Sequence, residues 1–73
     1  AAVRGIRDQA LLETLSAAER EILQQVCRGL ADKDIARARG VSVYTVKNQV
    51  KRILQKVGAA RRTELIARFS APV

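Results

Sequence analysis

Ser42-Val43-Tyr44-Thr45-Val46-Lys47-Asn48-Gln49-Val50-Lys51-Arg52-Ile53-Leu54-Gln55-Lys56-Val57-Gly58 is the stretch from which the rest of the chain can be read. Val43, Val46, Val50, Ile53, Leu54 and Val57 recur at helical spacing, so one side of a helix is apolar. At about 100° per residue the opposite side carries Tyr44, Lys47, Asn48, Lys51 and Gln55, with Thr45, Gln49, Arg52 and Lys56 on the flanks. Ser42 is suited to cap the first turn and Gly58 to end the last one. No acidic residue interrupts the segment. A helix pinned by one face, with basic and amide side chains on the other, has the chemistry to enter a DNA major groove. Lys donates to guanine, and Asn pairs with adenine in bidentate fashion. The plainer reading is a solvated basic surface helix, and this stretch alone does not separate the two.

The residues just upstream weaken the plainer reading. Asp32 is placed to cap a short helix from Lys33 to about Arg39, with Ile35 and Ala36 facing inward. Arg39-Gly40-Val41 leaves only three residues before the Ser42 cap. Two helices joined by so short a turn containing Gly have the form of a helix-turn-helix. Ala36 suits a close helix crossing, and Gly40 suits a residue that needs positive φ. Further upstream, Ser16 and Glu19 have the S-x-x-E spacing of a capping box. Ile22, Leu23, Val26 and Cys27 then supply a buried face, and Gly29 ends that helix. Cys27 reads as a small core residue rather than a reactive thiol.

After Gly58 a fourth helix is expected from about Arg61 to Phe69, with Leu65, Ile66 and Phe69 on one side and Pro72 closing it off. Residues 1–14 carry no capping signal and hold Gly5 early; they read as a linker or N-terminal extension. The loose helical spacing of Val3, Ile6, Ala10 and Leu11 would also allow a short docked helix. The expected architecture is all-α, four short helices over residues 15–70 with no strand.

Composition narrows the function. Fourteen Lys+Arg against seven Asp+Glu give a net charge of +7 over 73 residues, which suits a polyanionic partner. The excess is not evenly spread: Ala1–Cys27 holds three basic and four acidic residues, whereas Arg28–Val73 holds eleven and three. With one Phe and one Tyr, the core must be aliphatic. A single cysteine permits no internal disulfide and fits a reducing compartment. No run is long enough to span a membrane, and none reads as a signal peptide. The opening Ala1-Ala2, in place of Met, is read as the start of a piece of a longer protein. There is no His, no second Cys, no carboxylate cluster and no phosphate-binding glycine motif. The expectation is therefore a non-enzymatic domain without metal or cofactor.

Together these fragments resemble a known family. Leu15-Ser16, Glu19-Arg20-Glu21-Ile22-Leu23, Gly29-Leu30, Lys33-Asp34-Ile35-Ala36, Gly40-Val41-Ser42, Thr45-Val46-Lys47, Ile53-Leu54, Lys56-Val57-Gly58 and Arg62-Thr63-Glu64-Leu65 are similar to the LuxR/NarL/GerE-type DNA-binding domain. The resemblance covers about residues 15–69. It implies a bacterial, cytoplasmic and nucleoid-associated output domain of a transcription regulator, often joined to a ligand-binding or receiver domain. In that family the second and third of four helices form the helix-turn-helix, and the fourth commonly makes the dimer contact. The resemblance implies that Lys47 and Lys51 reach base edges, with Asn48 as the other base reader, and that Lys33 and Thr45 touch phosphate. Ser42, Tyr44 and Arg52 complete the set expected on the DNA backbone. Leu65, Ile66 and Phe69 are expected at a homodimer interface, with RNA polymerase as a further partner.

The chain departs from the family pattern at Ala18, Ala31-Asp32, Arg39 and Gln49. Asp32 brings a negative charge next to Lys33, and Arg39 stands where an apolar residue is usual. Its stem is expected to cover the core while its guanidinium reaches water or phosphate. Two other readings fit part of the pattern: a promoter-reading sigma-factor domain, and a basic module that binds an acidic protein. The segment after Gly58 favours the regulator family over the sigma-factor domain. DNA binding that depends on base sequence would exclude the protein-binding module.

Overall fold

The computed structural model describes residues 9–69, all of the regular structure being helical. Residues 9–13 form a short helical stretch (α1), followed by α2 (Ala17–Cys27), α3 (Asp32–Arg39), α4 (Val43–Val57) and α5 (Arg62–Phe69). No strand occurs among the described residues. Elements α2 to α5 are the four helices expected from the sequence. The Val3 and Ile6 positions of the N-terminal segment and Pro72 lie outside the described residues. Within α1, Leu11 and Leu12 pack against the core, so this part of the segment is a docked helix.

The capping chemistry sets the helix starts. At α2 the Ser16 hydroxyl accepts from the Glu19 N–H at 3.1 Å, and Glu19 Oε1 accepts from the Ser16 N–H at 2.9 Å. At α4 the Ser42 hydroxyl accepts from the Thr45 N–H at 3.1 Å. Asp32 does not act as a cap. The residue before α3 is Ala31, which makes no side-chain cap bond, and Asp32 is the first helical residue. Arg62, at the start of α5, draws its carboxylate away: Arg62 Nη1 donates to Asp32 Oδ1, and Nη2 donates to the Leu30 carbonyl at 2.5 Å. One guanidinium thus ties the α2–α3 loop to the last helix.

The turn between α3 and α4 follows from Gly40, whose φ of 68° lies in the left-handed region that side chains disfavour. The chain reverses there, and the Val41 N–H donates back to the Ala36 carbonyl at 3.0 Å. Gly58 ends α4 in the same way, with φ 71° and the Ala59 N–H on the Leu54 carbonyl at 2.9 Å.

The core is aliphatic: Leu15, Ile22, Leu23, Val26, Ile35, Ala36, Val46, Val50, Ile53, Val57 and Leu65 are buried. Every helix from α2 to α5 contributes, and α4 contributes most. Cys27 lies half-buried beside this core with its thiol 4.0 Å from the Leu65 carbonyl, and burial pushes its pKa up. Such a thiol holds its proton and acts as a small packing residue.

Glu19 is the one charged side chain buried among the described residues, at 5 % exposure. Lys56 Nζ, near the far end of α4, donates to Glu19 Oε1 at 2.7 Å and to the Thr14 carbonyl at 3.4 Å. The Lys56 bond, then the Ser16 N–H, hold the Glu19 carboxyl below the usual carboxylate range, against the opposing pull of burial. A lowered folded-state pKa contributes stability that is complete above the unfolded value, about 4.3, and is lost as pH falls through the folded value. Glu19→Gln is therefore expected to lower stability at neutral pH by about 1–3 kcal/mol. Thermal unfolding of both proteins as a function of pH should show that deficit shrinking as the pH drops below about 4.

Candidate nucleic-acid interface

The core-facing residues of α4 fix which of its side chains face out. Because Val46, Val50, Ile53 and Val57 are buried, Tyr44, Lys47, Asn48, Lys51 and Gln55 are exposed along one stripe. Arg52 is exposed on the flank, and Thr45 and Gln49 are half-buried. Val43 departs from the expected apolar face. It is 37 % exposed, at the first position of α4, one turn before Val46 enters the core.

Some of the described basic residues are engaged in ion pairs and others are not. Arg39, Lys56, Arg62 and Arg68 pair with Glu21, Glu19, Asp32 and Glu64. Lys33, Lys47, Lys51 and Arg52 have no ion-pair partner among the described residues. The cations that hold the fold together are thus not those on the outer stripe of α4. That stripe keeps its full positive charge for a polyanion. The Asp32 charge goes to Arg62, while Asp34, on the other side of Lys33, has no ion pair among the described residues.

Ser42 and Thr45 form a small device at the start of α4. Their hydroxyl oxygens are 3.0 Å apart, and either can donate to the other. The two groups carry two O–H protons and the mutual bond uses one, so the other remains available to an incoming acceptor. It lies at a helix N-terminus, where the backbone dipole also favours negative charge.

The residues expected at a dimer interface do not form one surface. Leu65 is fully buried in the chain's own core, because α5 packs against α2 through it. Its side chain has no face left for a second copy. Ile66 and Phe69 are half-buried, and Arg68 lies over the Phe69 ring at 5.2 Å from its centroid.

The family described as bacterial regulatory proteins, luxR family, matches residues 13–69. The chain belongs to that family. Its helix-turn-helix is a DNA-binding domain of the transcription-regulatory class. Among its relatives, the uncharacterized transcriptional regulatory protein YxjL of Bacillus subtilis (strain 168) is 45% identical over 58 residues, covering 80% of this chain and 27% of YxjL. The virulence factors putative positive transcription regulator BvgA of Bordetella pertussis is 39% identical over 59 residues, 81% of this chain and 28% of BvgA. The tetrathionate response regulatory protein TtrR of Salmonella typhimurium is 35% identical over 57 residues, 78% of this chain and 28% of TtrR. The chain thus spans little more than a quarter of the length of these luxR-family relatives. No solved structure matches it at a significant level. No described helix is long and apolar enough to cross a membrane.

Arg39, the departure from the family pattern at the end of α3, pairs with Glu21 of α2. Its Nη1 donates to Glu21 Oε2 at 2.5 Å, with the Arg39 side chain 21 % exposed and that of Glu21 65 %. The side chain is thus mostly buried, and its charge is tied back to α2. Spacing in the sequence gave no sign of this bond, because the two residues are eighteen apart and meet only through packing. In Arg39→Leu the added apolar burial offsets a half-exposed ion pair, so stability is expected to change by no more than about 1 kcal/mol. A double-mutant cycle with Glu21→Ala should give a coupling of about 0.2–1 kcal/mol that declines as salt is raised.

Proposed function

We propose that this luxR-family domain reads duplex DNA sequence with α4 in the major groove, as the output part of a longer transcription regulator. The observation that carries this is the outer stripe of α4. Lys47, Asn48 and Lys51 are exposed, unpaired among the described residues and free of neighbouring carboxylates on the helix, while the opposite face is locked in the core. Lys47 and Lys51 donate to guanine edges, and Asn48 has the donor and acceptor pair that matches adenine. The remaining hydroxyl proton of the Ser42–Thr45 pair, Lys33 on α3 and Arg52 on the flank meet phosphates and set the register. The relatives' names, transcriptional regulators and a response regulatory protein, support a role in transcription; a place in the bacterial cytoplasm and RNA polymerase as a partner are part of the same proposal.

Base readers and phosphate contacts respond differently to mutation. Lys47→Ala and Lys51→Ala are each expected to cost about 1–3 kcal/mol at a selected site and less on random DNA. Arg52→Ala should weaken both about equally and reduce the salt dependence of binding by roughly one phosphate contact. Equal losses on selected and random duplexes for all three variants would remove the base-reading assignment.

The same proposal includes pairing of two copies on DNA through α5, with Ile66 and Phe69 in the contact and Leu65 supporting them from the core. A two-fold pair places half-sites about one helical turn apart. Sedimentation on a duplex with two half-sites should give two chains per duplex. Strict one-to-one binding with a single half-site footprint would defeat this part of the proposal.

A further inference from the structure

The exposed large apolar side chains among the described residues are Val41, Val43 and Tyr44, at 39 %, 37 % and 75 %. All three fall within four consecutive residues, in the turn and first turn of α4. The core does not use them, since its α4 contribution begins at Val46. Tyr44 precedes Lys47 by three positions, Asn48 by four and Lys51 by seven, so it heads the same stripe.

If that stripe lies along base edges, as the proposed function has it, Tyr44 lies there too. One helical turn advances about 5.4 Å and one base-pair step about 3.4 Å, which places Tyr44 one or two steps from the pairs met by Lys47 and Asn48. The N-terminal residues of a recognition helix are those that come closest to the bases. What a major groove offers to an apolar side chain is the C5-methyl group of thymine. A phosphate would use only the Tyr44 hydroxyl and leave the ring and the neighbouring Val43 without a partner. The charge around the patch is positive, from Lys47 and Lys51, with no carboxylate on α4. This fits a polyanion better than a second copy of this basic chain.

We propose that Tyr44, with Val43 beside it, reads thymine through its methyl group, one or two base pairs from the site of Lys47. This revises the backbone role expected for Tyr44 from the sequence, and it rests on the base-reading function proposed above.

The test uses the whole chain and a duplex selected from a random pool, in which each thymidine is replaced in turn by deoxyuridine. That change removes the methyl group and leaves the hydrogen-bonding edge intact. Binding is expected to weaken about three- to tenfold at one or two adjacent positions per half-site. The loss should be the same with Tyr44→Phe and absent with Tyr44→Ala, whose binding to the unmodified site is already reduced. Deoxyuridine without effect, or an effect that persists in full in Tyr44→Ala, overturns the inference. So does Tyr44→Phe binding as poorly as Tyr44→Ala, which would assign the hydroxyl to phosphate, and so does a selected site without thymine. A change in the sedimentation of the free protein on Tyr44→Ala would give the patch to a second copy and also overturns it. Lys47→Ala on the same duplex keeps the two readings apart. If it abolishes selectivity while deoxyuridine does nothing, thymine reading alone fails. If no sequence is enriched from the pool, base reading itself fails and this inference with it.

Discussion

One side of α4 is held by Val46, Val50, Ile53 and Val57 in an aliphatic core with no aromatic ring at its centre. Each of these side chains is worth about 1.5–3 kcal/mol of apolar burial, an upper figure because the unfolded chain already buries some of it. Rotating α4 by even one residue would swap these valines for Lys47, Lys51 or Lys56 and place charge in an aliphatic interior. The orientation of the outer stripe is therefore set by hydrophobic burial on the other side. Its chemistry follows without any contact made by the stripe itself.

Charge pairing complements that constraint. Three acidic side chains hold helices together: Glu19 on Lys56 from α2 to α4, Asp32 on Arg62 from α3 to α5, Glu21 on Arg39 from α2 to α3. None of them lies on α4. Most of these pairs are partly exposed, so their energy is modest and falls with salt. Their larger effect is on where positive charge is left. The cations bound at the helix junctions do not include Lys33, Lys47, Lys51 or Arg52, which are among the described basic residues without an ion pair. Under the proposed function, fold stability and DNA affinity draw on different basic residues.

The turn between α3 and α4 connects the two functions. Gly40 allows a reversal that residues with side chains resist, and Val41 returns its N–H to Ala36. The Ser42 cap then starts α4 within two residues. So tight a connection fixes the angle between the helices, and it leaves Val41, Val43 and Tyr44 outside the core. An exposed apolar patch at the head of a basic helix has a cost in water, and a partner that covers it recovers that cost.

Much of this was legible from residue order alone. Helical periodicity, the Ser16–Glu19 box, the Ser42 cap and the glycines at 29, 40 and 58 determined four helices and the outward residues of α4, because each signal acts within one or two turns of chain. The resemblance named the family by the same local fragments. What the sequence could not determine were contacts between residues far apart in the chain. Arg39 reaching Glu21, Asp32 pairing with Arg62, and Lys56 closing on Glu19 all depend on where packing brings side chains that are eighteen to thirty-seven residues apart. Leu65 belongs to the same group: its spacing placed it with Ile66 and Phe69, and only the crossing of α5 on α2 committed it to the core. Periodicity gives a helix its faces. Which face meets which neighbour, and which charges are neutralised on the way, is decided by tertiary packing, because burial and charge pairing act through space and not along the chain.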